Sequence, residues 1–151
     1  MAELTNPSNK IRRATTSDAQ VVRDALVNVD GRTILDEAAI GSFLSDPSCY
    51  ILLAMDGDRV IGSLNGYALH KLYRPEPQFL LYEVGVLPEW RNQGAGTALV
   101  QAFVEEARSR GAFEVWVLTD RANVSALKMY QKCGFQIEDE DAAAVMLNLK
   151  W

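Results

Sequence analysis

The chain has 151 residues, 48% of them hydrophobic, and its 15 basic and 20 acidic side chains leave a net charge of −5. At that length one domain buries roughly two-thirds of the unfolded surface, so neither a metal nor a disulfide is needed to hold it. The acidic balance argues against a nucleic-acid partner and leans toward a cationic substrate. Two cysteines and a single histidine make no zinc spacing and no disulfide framework, and no apolar run reaches the roughly 18 residues of a membrane span. The expectation is one cytoplasmic, reduced domain over residues 1–151, with residues 1–9 flexible and no membrane or metal partner.

In chain order, "KIRRAT" at residues 10–15 reads as a short first strand. "TSDAQVVRDALVNV" follows as a helix, with Ser17 or Thr16 as N-cap and Val21, Val22, Ala25, Leu26 and Val29 at helical spacing. "DGR" breaks it, and "DEAAIGSFLSD" makes a shorter helix that ends before Pro47. Two β-rich runs flank "DGD", a hairpin signal around residues 55–59. "PQFLLYEVGVL" is a mostly apolar and therefore central strand. A helix is predicted over residues 94–110, with Leu99, Phe103 and Ala107 on one face and Gly111 as its stop. "FEVWVLT" alternates as a strand. "NVSALKMYQKC" is a short helix capped by Asn123 and ended by Gly134, and "GFQIE" and "AAVMLNLKW" finish as strands around an acidic turn at residues 138–141. The order β-α-α-β-β-β-α-β-α-β-β predicts an α/β (α+β) sandwich on a mixed sheet, not a doubly wound one.

The stretch "VGVLPEWRNQGAGTALV" passes from strand to helix through a turn with two glycines. Such a turn leaves unpaired N–H groups at a helix N-terminus, lets a ligand approach the backbone, and favours an anion such as a diphosphate. A tight turn using glycine for sterics alone accounts for the same residues. The Walker pattern fails because no lysine follows Gly96, and the dinucleotide fingerprint fails because Leu99 stands where a third glycine belongs.

The stretch closely resembles the acetyl-coenzyme A motif [QR]-x-x-G-x-[GA] of the GNAT family of N-acetyltransferases, through Arg91, Gly94 and Gly96. "NVSALKMYQKCGF" is similar to a second family pattern, with Asn123, Ala126, Tyr130, Gly134 and Phe135 in register. Within the family, "GYALHKLYRPEPQFLLYEVGV" is similar to type I aminoglycoside 3-N-acetyltransferases, which carry a tyrosine–acid pair where Tyr82 and Glu83 stand. Their acid is usually aspartate, and their loop near "DRANVS" is more acidic.

The resemblance implies acetyl-coenzyme A as donor. It implies a fourth strand that splays from the fifth, so that Val84 and Val86 offer main-chain groups to the pantetheine and one N–H polarises the thioester carbonyl. Arg91, Asn92, Gln93, Gly94, Ala95, Gly96 and Thr97 would cradle the diphosphate. Asn123 would reach the pantetheine or serve only as an N-cap. Tyr130 would give a proton to the leaving thiolate, although a core aromatic packed beside Met129 fits the same spacing. Glu83 is the expected base, directly or through one water. An alkylamine of pKa about 10.4 costs about 4.6 kcal/mol to deprotonate at pH 7, and an all-acidic pocket would raise that cost. Remote cation contacts are expected from Asp30, Tyr82, Asp120 and Glu138. The expected acceptor is a cationic small-molecule amine, foremost the 3-amine of an aminoglycoside. The alternatives are a polyamine, amino acid or protein α-amine, or a non-catalytic acyl-CoA-binding module. A homodimer is the family's common state.

Overall fold

A computed structural model describes residues 10–31, 36–138 and 144–150. The expectations placed on residues 1–9 and on the tip of the acidic turn, residues 139–141, lie outside the described residues. Among the described residues seven strands form one sheet: β1 (Lys10–Arg13), β2 (Cys49–Asp56), β3 (Arg59–Lys71), β4 (Arg74–Val86), β5 (Glu114–Asp120), β6 (Gln136–Ile137) and β7 (Ala144–Lys150). Four helices accompany them: α1 (Ala19–Asp30), α2 (Glu37–Ser45), α3 (Ala95–Ser109) and α4 (Val124–Lys132). The sheet runs β1-β2-β3-β4-β5-β7-β6, and β4–β5 is its parallel pair, joined by the α3 crossover. The mixed sheet and the element order agree with the sequence reading.

The sequence of β2 shows why both faces are covered. Tyr50, Leu52 and Ala54 enter the core beneath α3, whereas Ile51, Leu53 and Met55 enter a second cluster with Val22 of α1 and Ile40 of α2. A strand buried on both sides reads as an unbroken apolar run rather than an alternating one. In the larger core Phe79, Phe103 and Tyr50 meet at ring distances of 5.3 to 6.1 Å. Gly66 of β3 lies directly under Phe103: a methyl group there would sit 2.4 Å from the ring and 2.9 Å from the Leu80 carbonyl.

Two local expectations are corrected. The first helix is entered through one 3-10 turn, Thr16–Asp18, which is capped by Thr15, while α1 itself starts behind Asp18, so neither Thr16 nor Ser17 is the cap. The Asp18 carboxylate accepts from the Thr15 N–H at 2.7 Å and takes two bonds from Arg12 at 2.9 Å, which pulls the turn one residue earlier. Strand β4 begins at Arg74, three residues before the predicted start. Pro75 and Pro77 are tolerated because pairing with β5 starts only at Gln78 and the β3 register is irregular between Leu69 and Lys71.

Candidate active site

Strands β4 and β5 pair from Gln78 with Glu114 to Leu81 with Val117 and then part, although β4 continues to Val86 and β5 to Asp120. On the other side β4 stays paired with β3. Leu87 donates to the Ile61 carbonyl at 2.8 Å, and Gly62 pairs with Val86, Ser63 with Gly85 and Leu64 with Val84. Because antiparallel bonding alternates, Leu87 and Gly85 direct their main-chain groups toward β3, and Val84 and Val86 direct theirs into the gap left by β5. That gap opens into a cavity of about 570 Å³.

The opposite wall is the start of α3. Asn92 has φ 59° and Gly94 has φ 91°, so the turn carries two left-handed residues in three positions. No side chain caps the helix, whose first reciprocal bond joins the Ala98 N–H to the Gly94 carbonyl at 2.9 Å. The N–H groups of Ala95, Gly96 and Thr97 therefore lack intrahelical partners, and these residues line the cavity with Gly94, Asn92 and Arg91. Arg91 is anchored by its Nε, which donates to the Val86 carbonyl at 3.2 Å. Gln93 sits differently from the expectation. Its amide turns back to donate to the Glu89 carbonyl at 3.0 Å, and it is absent from the cavity wall.

Helix α4 closes the third side with Ser125, Ala126, Met129 and Tyr130. Asn123 is both wall and cap: its Oδ1 accepts from the Ala126 N–H at 3.2 Å. The Tyr130 ring is buried against Phe135 at 5.8 Å while its residue still borders the cavity, so core packing and cavity lining coexist. Burial, with a smaller contribution from Cys133, pushes its phenol up to about 12. As site residues the sequence reading missed Gly85, Trp90, Ser125, Ala126 and Met129. Met129 shares a helical face with Ala126 and Tyr130, a spacing that signals it; Ser125 carries no such mark.

The acceptor-side residues separate. A bulge between Asn65 and Gly66 leaves Tyr82 unpaired on β4, and Glu83 resumes the register opposite Asn65. Tyr82 and Leu118 are both exposed, and each follows the last paired residue of its strand, Leu81 and Val117, where β4 and β5 part. Glu83 is half-buried on the face that carries α1 and α2. Asp120 is engaged in local structure, its Oδ1 accepting from the Ala122 N–H at 2.8 Å and its carbonyl from Asn123. Glu138 stands after β6, beyond β5 and β7 from the cleft, and pairs with Lys150 at 3.6 Å. Asp30 is the last residue of α1. Tyr82 and Glu83 are thus neighbours, while Glu138 is tied elsewhere.

The model of the acetyltransferase (GNAT) family matches residues 19–135 of this chain. The chain belongs to that family. This acetyltransferase is 32% identical over 97 residues to a mycothiol acetyltransferase of Pseudarthrobacter chlorophenolicus, across 64% of its own length and 30% of the relative's. It is 32% identical over 104 residues to an uncharacterized N-acetyltransferase of Mycobacterium bovis, across 68% and 63%. The chain therefore spans less than two-thirds of either relative. Among solved structures it superposes on an aminoglycoside acetyltransferase from an uncultured soil metagenomic sample, in complex with sisomicin, with a TM-score of 0.79 and 22% identity over 91% of this chain and 94% of that one. That likeness is one of fold. Enzymes of the GNAT family draw the acyl group from acetyl-coenzyme A. No helix among the described residues is long and apolar enough to cross a membrane.

Proposed function

We propose that this acetyltransferase moves the acetyl group of acetyl-coenzyme A to an amine of a cationic small molecule, with the 3-amine of an aminoglycoside as the leading acceptor. The observation that carries the reading is the parting of β4 from β5 beside the uncapped start of α3, which opens strand donors and helix donors into one cavity. The residues fit the donor. A Cβ added at Gly94 would meet no protein atom within 4 Å, so the turn has free space at its surface. Acetyl-coenzyme A would supply an activated acyl group and a diphosphate. The Gly94, Ala95, Gly96 and Thr97 N–H groups would hold that diphosphate, helped by the positive end of the α3 dipole. The Val84 and Val86 N–H groups would line the pantetheine and polarise the thioester carbonyl, whereas the Val86 carbonyl is already taken by Arg91.

Glu83 takes the proton of the attacking amine, directly or across one water. Its place next to the opening strands supports that role. Tyr130 borders the cavity from α4, where it would stand beside the leaving sulfur. With its phenol pushed up to about 12, Tyr130 is a weaker acid than an ordinary thiol, so complete proton transfer to the leaving thiolate would be uphill. Its contribution would therefore be a hydrogen bond to the developing thiolate, with solvent completing protonation. Asp120 and Tyr82 flank the acceptor path; Glu138, paired with Lys150, serves there only if that pair opens.

A second acceptor class is supported by the relatives. The mycothiol acetyltransferase of P. chlorophenolicus is nearer in sequence, at 32% identity, than the aminoglycoside enzyme at 22%. One experiment separates the two. The chain is incubated with acetyl-coenzyme A and a panel of aminoglycosides, polyamines and amino-sugar thiol conjugates, thiol release is followed, and the product is mapped by NMR. Turnover of aminoglycosides with acetylation of the 3-amine is expected. Silence across the aminoglycosides removes that acceptor. Glu83→Gln should lower kcat by about 100-fold or more while leaving coenzyme A affinity within about twofold; a wild-type rate removes Glu83 as the base.

A further inference from the structure

Asn65 and Tyr67 lie two residues apart on β3, so their side chains share a face, and it is the face of Glu83. Asn65 is paired directly with Glu83 on one side and with Ile51 on the other. The Tyr82 bulge brings the Tyr82 ring edge-on to Tyr67 at 5.8 Å, and Phe43 of α2 contacts Tyr67 from its other side at 5.7 Å. The Asn65 Oδ1 is buried without a hydrogen-bond partner. An unpaired buried acceptor is costly, and native proteins keep few of them. Next to Ile51, an apolar side chain would remove that cost, so the polar residue calls for another explanation.

We infer that Asn65 and Tyr67 are positioning residues that hold the Glu83 carboxyl group in both of its protonation states. The inference rests on the reading of Glu83 as the base. Before transfer, the Asn65 amide donates to the Tyr67 oxygen, and the Tyr67 O–H is left to donate to the Glu83 carboxylate. Once Glu83 has taken the amine proton, its new O–H is met by the Asn65 Oδ1, a buried acceptor that lacks a donor. No covalent bond changes on either residue; the transferred proton resides on Glu83 and returns to solvent. The groups around Tyr67 agree with this arrangement. Burial raises its phenol, Cys49 on β2 and Tyr82 and Glu83 on β4 add to the rise, and a hydrogen bond from Asn65 opposes it. From α2 it meets the uncharged Phe43.

Two variants test the inference, each read by its kcat/KM profile against pH, coenzyme A affinity and melting temperature. Tyr67→Phe keeps both ring contacts and removes one oxygen. Its acid limb should move to higher pH, because the carboxylate loses a donor that favours its charged form, and kcat should fall about tenfold. Asn65→Leu removes the unpaired acceptor. It should melt at or above the wild-type temperature yet turn over at least about tenfold more slowly. Residues with a purely structural role predict the reverse: wild-type kcat and an unmoved acid limb in both variants, and that result overturns the inference. Should Asn65→Leu fail to fold, Tyr67→Phe decides alone. The Glu83→Gln variant separates the two levels of failure. A wild-type rate there removes the base, whereas a slow Glu83→Gln beside unaltered Tyr67→Phe and Asn65→Leu removes only the positioning. In the Glu83→Gln background Tyr67→Phe should have no further effect on kcat; a full additional loss contradicts the coupling.

Discussion

Replacing Gly94 with alanine separates the cost of an unusual backbone from the cost of filling a binding surface. Gly94 has φ 91° and ψ −2°, a left-handed conformation that a side chain disfavours by about 1–2 kcal/mol. No protein atom lies within 4 Å of the added methyl, so packing adds nothing to that figure. For a chain of this size the strain lowers the melting temperature by about 2–8 °C. Gly111, at the other end of α3, has φ 70° and equally open surroundings, which makes Gly111→Ala a matched control for strain. Gly94 borders the cavity and Gly111 does not. Calorimetric titration with coenzyme A should therefore show at least a tenfold weaker Kd, about 1.4 kcal/mol, for Gly94→Ala and an unchanged Kd for Gly111→Ala. Equal affinity in both variants, with similar losses of stability, would refute the assignment of this turn as the diphosphate cradle.

Gly66→Ala forces a methyl to within 2.4 Å of the fully buried Phe103 ring and 2.9 Å of a main-chain oxygen. It should cost at least about 3 kcal/mol by overpacking, seen as a melting temperature lower by about 6 °C or more; a near-wild-type melt would mean that α3 sits further from β3 than described. Tyr130→Phe should slow thiol release by about tenfold without weakening coenzyme A binding, and unchanged single-turnover rates would remove the Tyr130 hydrogen bond from the account. Two hydrogen bonds from Arg12 hold the Asp18 carboxyl down at about 2. A depressed carboxyl stabilises fully above its unfolded value near 3.8 and loses that contribution as pH falls through 2. Asp18→Asn should thus be about 1 kcal/mol less stable at pH 7, a figure reduced for the solvent-exposed arginine, and the gap should close near pH 2; a gap constant from pH 6 to pH 2 contradicts the pairing.

Local constraints made much of the fold legible. The turn into α3 needs glycine at φ 91°, and the end of α4 needs Gly134 at φ 94°, so both helix boundaries were written in residue type. The Asn123 cap was readable for the same reason, since a short side-chain acceptor before a helical run has few other uses. Non-local pairing hid the rest. The bulge that sets Tyr82 aside and turns Glu83 toward Asn65 depends on the β3 register, which no single segment encodes. Strand β4 runs through Pro75 and Pro77, against strand propensity, because its partner β5 begins later. The parting of β4 from β5 followed from family resemblance and has no signature in the two strands themselves. Gln93 looked like part of the cradle by position in the motif, but its side chain bonds the carbonyl four residues earlier. Asn65 and Tyr67 carried no mark in a strand that reads as ordinary hairpin.

The most direct test is an amide-resolved NMR titration of the nitrogen-15-labelled chain with coenzyme A. The account predicts the largest shifts at Gly94, Ala95, Gly96 and Thr97, with a second group at Val84 and Val86 across the cleft. Saturable binding that leaves these six amides unmoved, or no binding at all, would contradict the claim that the α3 turn and the parted strand together receive the acetyl donor.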